Sequence, residues 1–229
     1  MKVAVIGLGT IGMRWVARFC AAGLDVTAWD ASSDAVAQCR TGLPALLADV
    51  AALRPGPRPT DPRFAASLQE AVSDVAFVQE NTPERIDLKR SVLAQIDAAA
   101  PAEAIIASSS SALLVSEMQR GCAHPERVVL GHPLNPAHLM PLVEVVGGEN
   151  TSRAAVERAR AFYEGIGAKP VVLNREIPGY LALRLGVVGE RERAGGGADR
   201  PSGGGPGLSS ARLSTRLGCR TESCSSCRA

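Results

Sequence analysis

The sequence predicts an α/β fold in which a doubly wound, mainly parallel sheet is covered by helices on both faces. Two observations carry this. Short apolar runs such as KVAVIG, AIIASS and RVVLGH recur through the first 173 residues, and stretches of helical period separate them. Strands that alternate with helices pair in parallel and must be covered above and below. The chain also has the means for such a core: 229 residues, 46% of them apolar, suit one substantial domain or one domain plus a smaller piece.

Taken in order, KVAVIG is a strand and TIGMRWVARFCAAG a helix that Gly23 stops, after which DVTAWD is a second strand. DAVAQCRTGLPALLADVAAL is helical, with Gly42, Leu43 and Pro44 as the place where it would break, and RPGPRPTDPRF is a proline-rich loop. VAFVQE, AIIASS and RVVLGH are buried strands, separated by helices near 83–99 and 112–119. PLVEVV, a helix over 151–166 and KPVVL close the run. After Leu185 the chain becomes rich in Gly, Ser and Arg, with no Lys and almost no apolar period. Such a segment buries too little surface to offset its ordering entropy, so 189–229 is expected to be disordered. Its abrupt composition also reads as an out-of-frame translation of a GC-rich message.

Several function classes are excluded by composition. A formal charge of +2 and 3% aromatics give no reason to expect nucleic acid or an acidic membrane surface as a partner. Arg14 and Arg18 interrupt the N-terminal apolar run, against a secretory signal, and no stretch is long enough to span a bilayer; a cytoplasmic protein is expected. Cys20, Cys39 and Cys122 read as scattered thiols. Cys219, Cys224 and Cys227 match part of an iron–sulfur spacing but lack a fourth ligand, so no metal is expected.

The glycine pattern carries chemistry. GLGTIG puts Gly7, Gly9 and Gly12 between a strand and a helix, with Thr10 and Ile11 opening that helix. Gly7 permits the tight turn, Gly9 lets backbone approach a pyrophosphate, and Gly12 lets helix and strand pack closely; together they make the fold Rossmann-type. Asp30 ends the next strand at the spacing of a carboxylate that accepts from a ribose 2′-hydroxyl and repels a 2′-phosphate. NAD is therefore the expected cofactor.

With these motifs, the chain from Met1 to about Leu185 resembles the 3-hydroxyacyl-CoA dehydrogenase superfamily. The resemblance rests on GLGTIG with AWD, VQENTPERIDLK, ASSSSAL, GHPLNPAHLMPLVEVVGG and REIPGYLALRL. Within that superfamily FVQENTPERIDLK and GHPLNPAHLMPLVEVVGGENTS are most similar to L-carnitine dehydrogenases, with L-gulonate 3-dehydrogenases and 3-hydroxybutyryl-CoA dehydrogenases more distant. The resemblance implies His132 as the base and Glu144, twelve residues on, as its orienter. It implies a substrate contact at Ser111, with Asn135 beside it, nicotinamide-side contacts at Glu80 and the adjoining NTPE, and a cofactor contact at Lys89. Those residue types suit the oxidation of a small-molecule secondary alcohol. Imidazole accepts the hydroxyl proton near neutral pH, a carboxylate on its other nitrogen fixes the tautomer, and a serine orients the substrate oxygen. Ser110 or Ser111 would equally serve as a helix N-cap, and Glu80 would equally cap the helix near Pro83. His124 and His138 read as surface or pocket-rim residues.

The resemblance also implies what stands apart. Relatives often carry aromatics at the positions of Leu134 and His138, where a trimethylammonium group would meet a ring face, and a polar residue at the position of Leu183. They continue into an all-helical domain that makes a homodimer and closes the cleft; here 1–175 reads as the NAD-binding domain and 176–188 as the start of a truncated helical piece. The expected activity is oxidation of L-carnitine to 3-dehydrocarnitine, impaired if the cleft is incomplete. A 3-hydroxyacyl-CoA or L-gulonate substrate, or an inactive NAD-binding fragment, are the alternatives.

Overall fold

Four of the five residues of β1 (Lys2–Ile6) are buried, as befits an unbroken apolar run at the centre of a sheet covered on both faces. The computed structural model describes residues 1–53, 56, 58–181 and 184. Leu183 and the segment 189–229 lie outside the described residues; within the expected helical piece, Tyr180, Leu181 and Arg184 are helical.

The remaining strands are β2 (Asp25–Trp29), β3 (Arg63–Phe64), β4 (Phe77–Glu80), β5 (Ile105–Ser108), β6 (Val128–Pro133), β7 (Leu142–Gly147) and β8 (Lys169–Val172). They form one sheet in the order β3-β2-β1-β4-β5-β6-β7-β8, parallel throughout except where β7 runs antiparallel to β6. The helices that cover it among the described residues are α1 (Thr10–Ala21), α2 (Ser33–Leu53), α3 (Leu68–Val72), α4 (Ile86–Ala99), α5 (Val115–Met118) and α6 (Arg153–Gly165). Successive strand residues point to opposite faces, so the core divides in two. Val3 and Val5 pack with Trp15, Phe19, Phe162 and Tyr163 under α1 and α6. Ala4 and Ile6 pack with Val72, Leu93 and Met118 under α3, α4 and α5. This is the expected doubly wound, Rossmann-type architecture.

Three local expectations are corrected. The helix over 34–53 does not break: α2 runs through Pro44, although proline removes one amide donor and crowds the carbonyl one turn back. Burial of Cys39 and Leu43 in the α1 core outweighs that loss. A two-residue strand, β3, ends the proline-rich loop and pairs with β2. A five-residue helix, α3, was not anticipated, because elements this short show no period. It is fixed instead by its cap. The Ser67 hydroxyl accepts from the Glu70 amide at 3.1 Å, and the Glu70 carboxylate accepts from the Ala66 amide at 2.8 Å.

The order of strands reverses between β1 and β4, and ligand crevices in such sheets form outside the carboxyl ends of the strands at that point. Residues 7–12 and 81–84 lie there.

Candidate active site

The turn after β1 is built around absent side chains. Gly7 has φ +85°, and a Cβ on Gly12 would lie 1.8 Å from the Gly7 carbonyl oxygen, so no side chain fits at either position. A Cβ on Gly9, by contrast, meets nothing within 4 Å. The helix that follows starts at Thr10 with no side-chain cap and no acidic residue in its first turn, which leaves its amide groups and dipole for an anion. Asp30 accepts from the Leu8 amide at 2.6 Å and the Ser32 amide at 2.8 Å, tying the second strand to the glycine turn. Gly7, Gly9, Thr10, Ile11 and Asp30 all line one cavity of about 450 Å³. The set fits a dinucleotide: an uncapped helix start for pyrophosphate, an open face at Gly9, and a carboxylate for a ribose. Gly12 stands behind the wall, packed on Gly7.

A second cavity of about 430 Å³ adjoins the first, sharing Ile11, Asn81 and Thr82 with it. His132, Ser111, Asn135 and Lys89 line it, which brings together four residues expected from sequence. His132 and Glu144 are direct cross-strand partners of the antiparallel β6–β7 pair. Their side chains therefore emerge on the same face, and His132 Nδ1 lies 2.7 Å from Glu144 Oε2. Only 1% of Glu144 is exposed and 9% of His132, so water competes little for the contact. An ionised carboxylate can only accept; Nδ1 then carries the hydrogen, and Nε2 is the nitrogen left to act as a base. The second Glu144 oxygen accepts from the Leu181 amide at 2.7 Å.

Glu80 does not line either cavity. It is fully buried, and the N-cap of α4 is Arg85 rather than Glu80. Lys89 donates to its two oxygens at 2.9 and 3.0 Å, the Ser108 hydroxyl donates at 2.5 Å, and Thr82 donates through both amide and hydroxyl at 2.5 Å. Glu80 thus holds Lys89 at the cavity wall from behind.

The loop bearing Ser111 is organised by a residue that sequence placed only within NTPE. One Glu84 oxygen accepts from the amides of Ser111, Ala112 and Leu113 at 3.1, 2.9 and 3.2 Å, and from the Ser110 hydroxyl. Burial pushes the Glu84 carboxyl up, but the Ser110 hydroxyl, the amides and Lys89 outweigh that and hold it below the usual carboxylate range. Neither Ser110 nor Ser111 caps α5, whose N-cap is Leu114. A further chain of hydrogen bonds runs between β4 and the serine run. Tyr163 donates to Gln79 at 2.6 Å, Gln79 donates to Ser109 at 2.8 Å, and Ser109 donates to Asn81 at 2.7 Å. Ser109 sits in a run of four serines, and nothing in the run distinguishes it.

Asn135 is held by Arg14, which donates to its side-chain oxygen, while Arg18 donates to the Ala137 and Met140 carbonyls at 3.1 and 2.5 Å. The 134–141 connection is thereby anchored on α1. Leu134 faces the cavity. His138 does not: it is buried, 3.5 Å from Asp49, and burial keeps its imidazole below the usual value. The expectation of a surface or rim position fails for His138 and holds for the exposed His124. Cys20 and Cys39 are buried and Cys122 partly so, and burial pushes each thiol up to about 11. Among the described residues no helix is long and apolar enough to cross a membrane.

A family profile described as "3-hydroxyacyl-CoA dehydrogenase, NAD binding domain" matches residues 2–177. The chain is similar to L-carnitine dehydrogenase of Pseudomonas aeruginosa, 47% identical over 186 residues, covering 80% of this chain and 57% of that protein. It is likewise 46% identical over 188 residues to L-carnitine dehydrogenase of Streptomyces griseus, covering 80% and 56%. The chain thus spans little more than half the length of these relatives. Among solved structures it is similar to an NAD⁺-dependent dismutase, 5-formyl-3-hydroxy-2-methylpyridine 4-carboxylic acid 5-dehydrogenase, with TM-score 0.79, 32% identity, and coverage of 85% of this chain and 64% of that one. The 3-hydroxybutyryl-CoA dehydrogenase of Escherichia coli K12 superposes with TM-score 0.71 at 26% identity, covering 80% and 39%. With a cofactor cavity of this form and a profile that matches most of its length, the chain belongs to the 3-hydroxyacyl-CoA dehydrogenase family, in its NAD-binding domain.

Proposed function

We propose that the chain catalyses NAD-dependent oxidation of the 3-hydroxyl of L-carnitine to 3-dehydrocarnitine. The observation that carries the reaction class is the buried 2.7 Å contact of His132 Nδ1 with Glu144, beside a cavity that adjoins the glycine turn. The similarity to L-carnitine dehydrogenases supports the substrate. We assign 1–175 to the cofactor-binding unit and 176–188 to the start of a helical piece, expect a cytoplasmic protein, and expect a homodimer if the helical domain of the family is present.

In this reading Gly7, Gly9 and the start of α1 would hold the pyrophosphate and Asp30 the adenosine ribose, with Gly12 keeping the turn tight. NAD, when bound, supplies the nicotinamide carbon that accepts the hydride. His132 takes the hydroxyl proton on Nε2 as the alcohol is oxidised, and Glu144 stabilises the imidazolium that results. Ser111 and Asn135 orient the substrate oxygen. Lys89, held by Glu80, would help hold the cofactor from the cavity wall.

The full chain is incubated with NAD and, separately, L-carnitine, L-gulonate and 3-hydroxybutyryl-CoA, and reduced cofactor is followed by absorbance. The expected result is fastest turnover with L-carnitine, lost in His132→Ala. A faster rate with either other substrate transfers the same chemistry to that substrate. NAD binding by calorimetry with no turnover on any of the three would instead make the chain a nucleotide-binding module.

A further inference from the structure

We infer that Tyr180 is a positioning residue that couples the loop bearing Ser111 to the His132–Glu144 pair. The inference deepens the proposed reading and rests on it for its catalytic meaning. Tyr180 is fully buried and packs in the core beneath α4 and α5, yet it carries a hydroxyl that this core must satisfy. That hydroxyl donates to the Leu113 carbonyl at 2.5 Å. Leu113 is the last of three consecutive residues whose amides converge on Glu84, so the loop is gripped from one side by Glu84 and from the other by Tyr180. The Tyr180 ring stands 6.3 Å from the His132 ring, tilted by 36°. One residue on, the Leu181 amide donates to the Glu144 oxygen that His132 does not use.

A single dipeptide therefore touches both halves of the proposed chemistry. Its phenol fixes the serine loop, its ring stands beside the imidazole, and its following amide orients the glutamate. The same strand of chain is moored upstream, where Glu176 accepts from the Ser116 amide at 3.0 Å and from the Ser116 hydroxyl. Burial pushes the Tyr180 phenol well above its ordinary value, with Glu176, Glu84 and Glu144 adding to the effect, so it stays a donor throughout the working pH range. A phenylalanine would fill the same space but leave the Leu113 carbonyl without this donor. The hydroxyl is the part of the residue that transmits loop position to the pair.

The test compares the full chain with Tyr180→Phe, which deletes only the hydroxyl, and Tyr180→Leu, which deletes the ring. NMR follows the His132 imidazole titration and amide exchange at Ser111, Ala112 and Leu113, in the absence of substrate. Calorimetry measures NAD affinity. The expected result for Tyr180→Phe is faster exchange at the three amides, a displaced His132 titration midpoint, and NAD affinity within about twofold of the parent. Where turnover is measurable, kcat falls about tenfold with little change in the KM for NAD, as displacement of an aligned group predicts. Unchanged exchange and an unchanged His132 midpoint in Tyr180→Phe would overturn the inference. So would equal effects of the two variants on folding alone. If the parent chain turns over none of the three substrates, the proposed function fails while the NMR comparison still decides the coupling.

Discussion

Lys89 places its ammonium 2.9 and 3.0 Å from the two carboxylate oxygens of Glu80, and neither side chain meets solvent. The pair sits between β4 and α4, beneath the cavity that holds His132, so it is at once a fold contact and a wall of the site. Removing one partner leaves the other charge buried. Lys89→Met is expected to destabilise the chain by about 3–5 kcal/mol, and adding Glu80→Gln to it should recover much of that loss. Urea denaturation of the two variants measures both numbers; a double variant no better than the single one would sink the account.

Glycine 9 and glycine 12 should separate folding from binding. A Cβ on Gly12 collides with the Gly7 carbonyl, whereas one on Gly9 points into open space. Gly12→Ala is expected to lower the melting temperature and weaken NAD together. Gly9→Ala should melt as the parent does, while calorimetry reads an affinity for NAD reduced by tenfold or more, on the order of 1.4 kcal/mol.

His132→Ala and Glu144→Gln should differ in kind. Loss of the base is expected to cost about 10²–10⁴ in kcat. Glutamine at 144 still meets Nδ1 but no longer stabilises an imidazolium, so kcat falls while NAD affinity stays within about twofold. Stopped-flow turnover beside calorimetry distinguishes these from a general loss of structure.

Glu84 gives the loop an acid limit. Its carboxyl is held below its ordinary value of 4.5, so the ionised form is the one the fold favours. The contribution to stability is fully present above that ordinary value and is lost as pH falls through the lower folded one. Protection of the Ser111, Ala112 and Leu113 amides, taken relative to the intrinsic exchange rate at each pH, should therefore fall on acidification, and Glu84→Gln should show the lowered protection already at neutral pH.

Much of the site was legible because its parts are local in sequence. The strand, glycine turn and helix of residues 2–21 are contiguous, and their order alone implies a phosphate site. The His132–Glu144 pair was legible through its spacing in a familiar motif, although only the antiparallel register of β6 and β7 makes the two side chains neighbours. What stayed hidden depends on distance in sequence. Glu80 and Lys89 are nine apart on different elements, and nothing local says that they face each other rather than a ligand. Glu84 reaches a loop 26 to 29 residues away, and Tyr180 one 67 away. Helix α3 differs in kind: Ser67-Leu68-Gln69-Glu70 carries the sequence pattern of a helix start, but five residues are too few to show a helical period. The break expected at Pro44 weighed a local preference that tertiary burial overrode.

His132 and Glu144 stand opposite each other on a ladder, so the backbone pairing of their two strands sets the gap between them. Leu134 and Asn135, which line the cavity from that connection, lie outside the paired residues that set the base against its carboxylate. A fold arranged in this way can trade one alcohol for another by altering a single anchored loop, and keep the same acid–base machinery under each new selectivity.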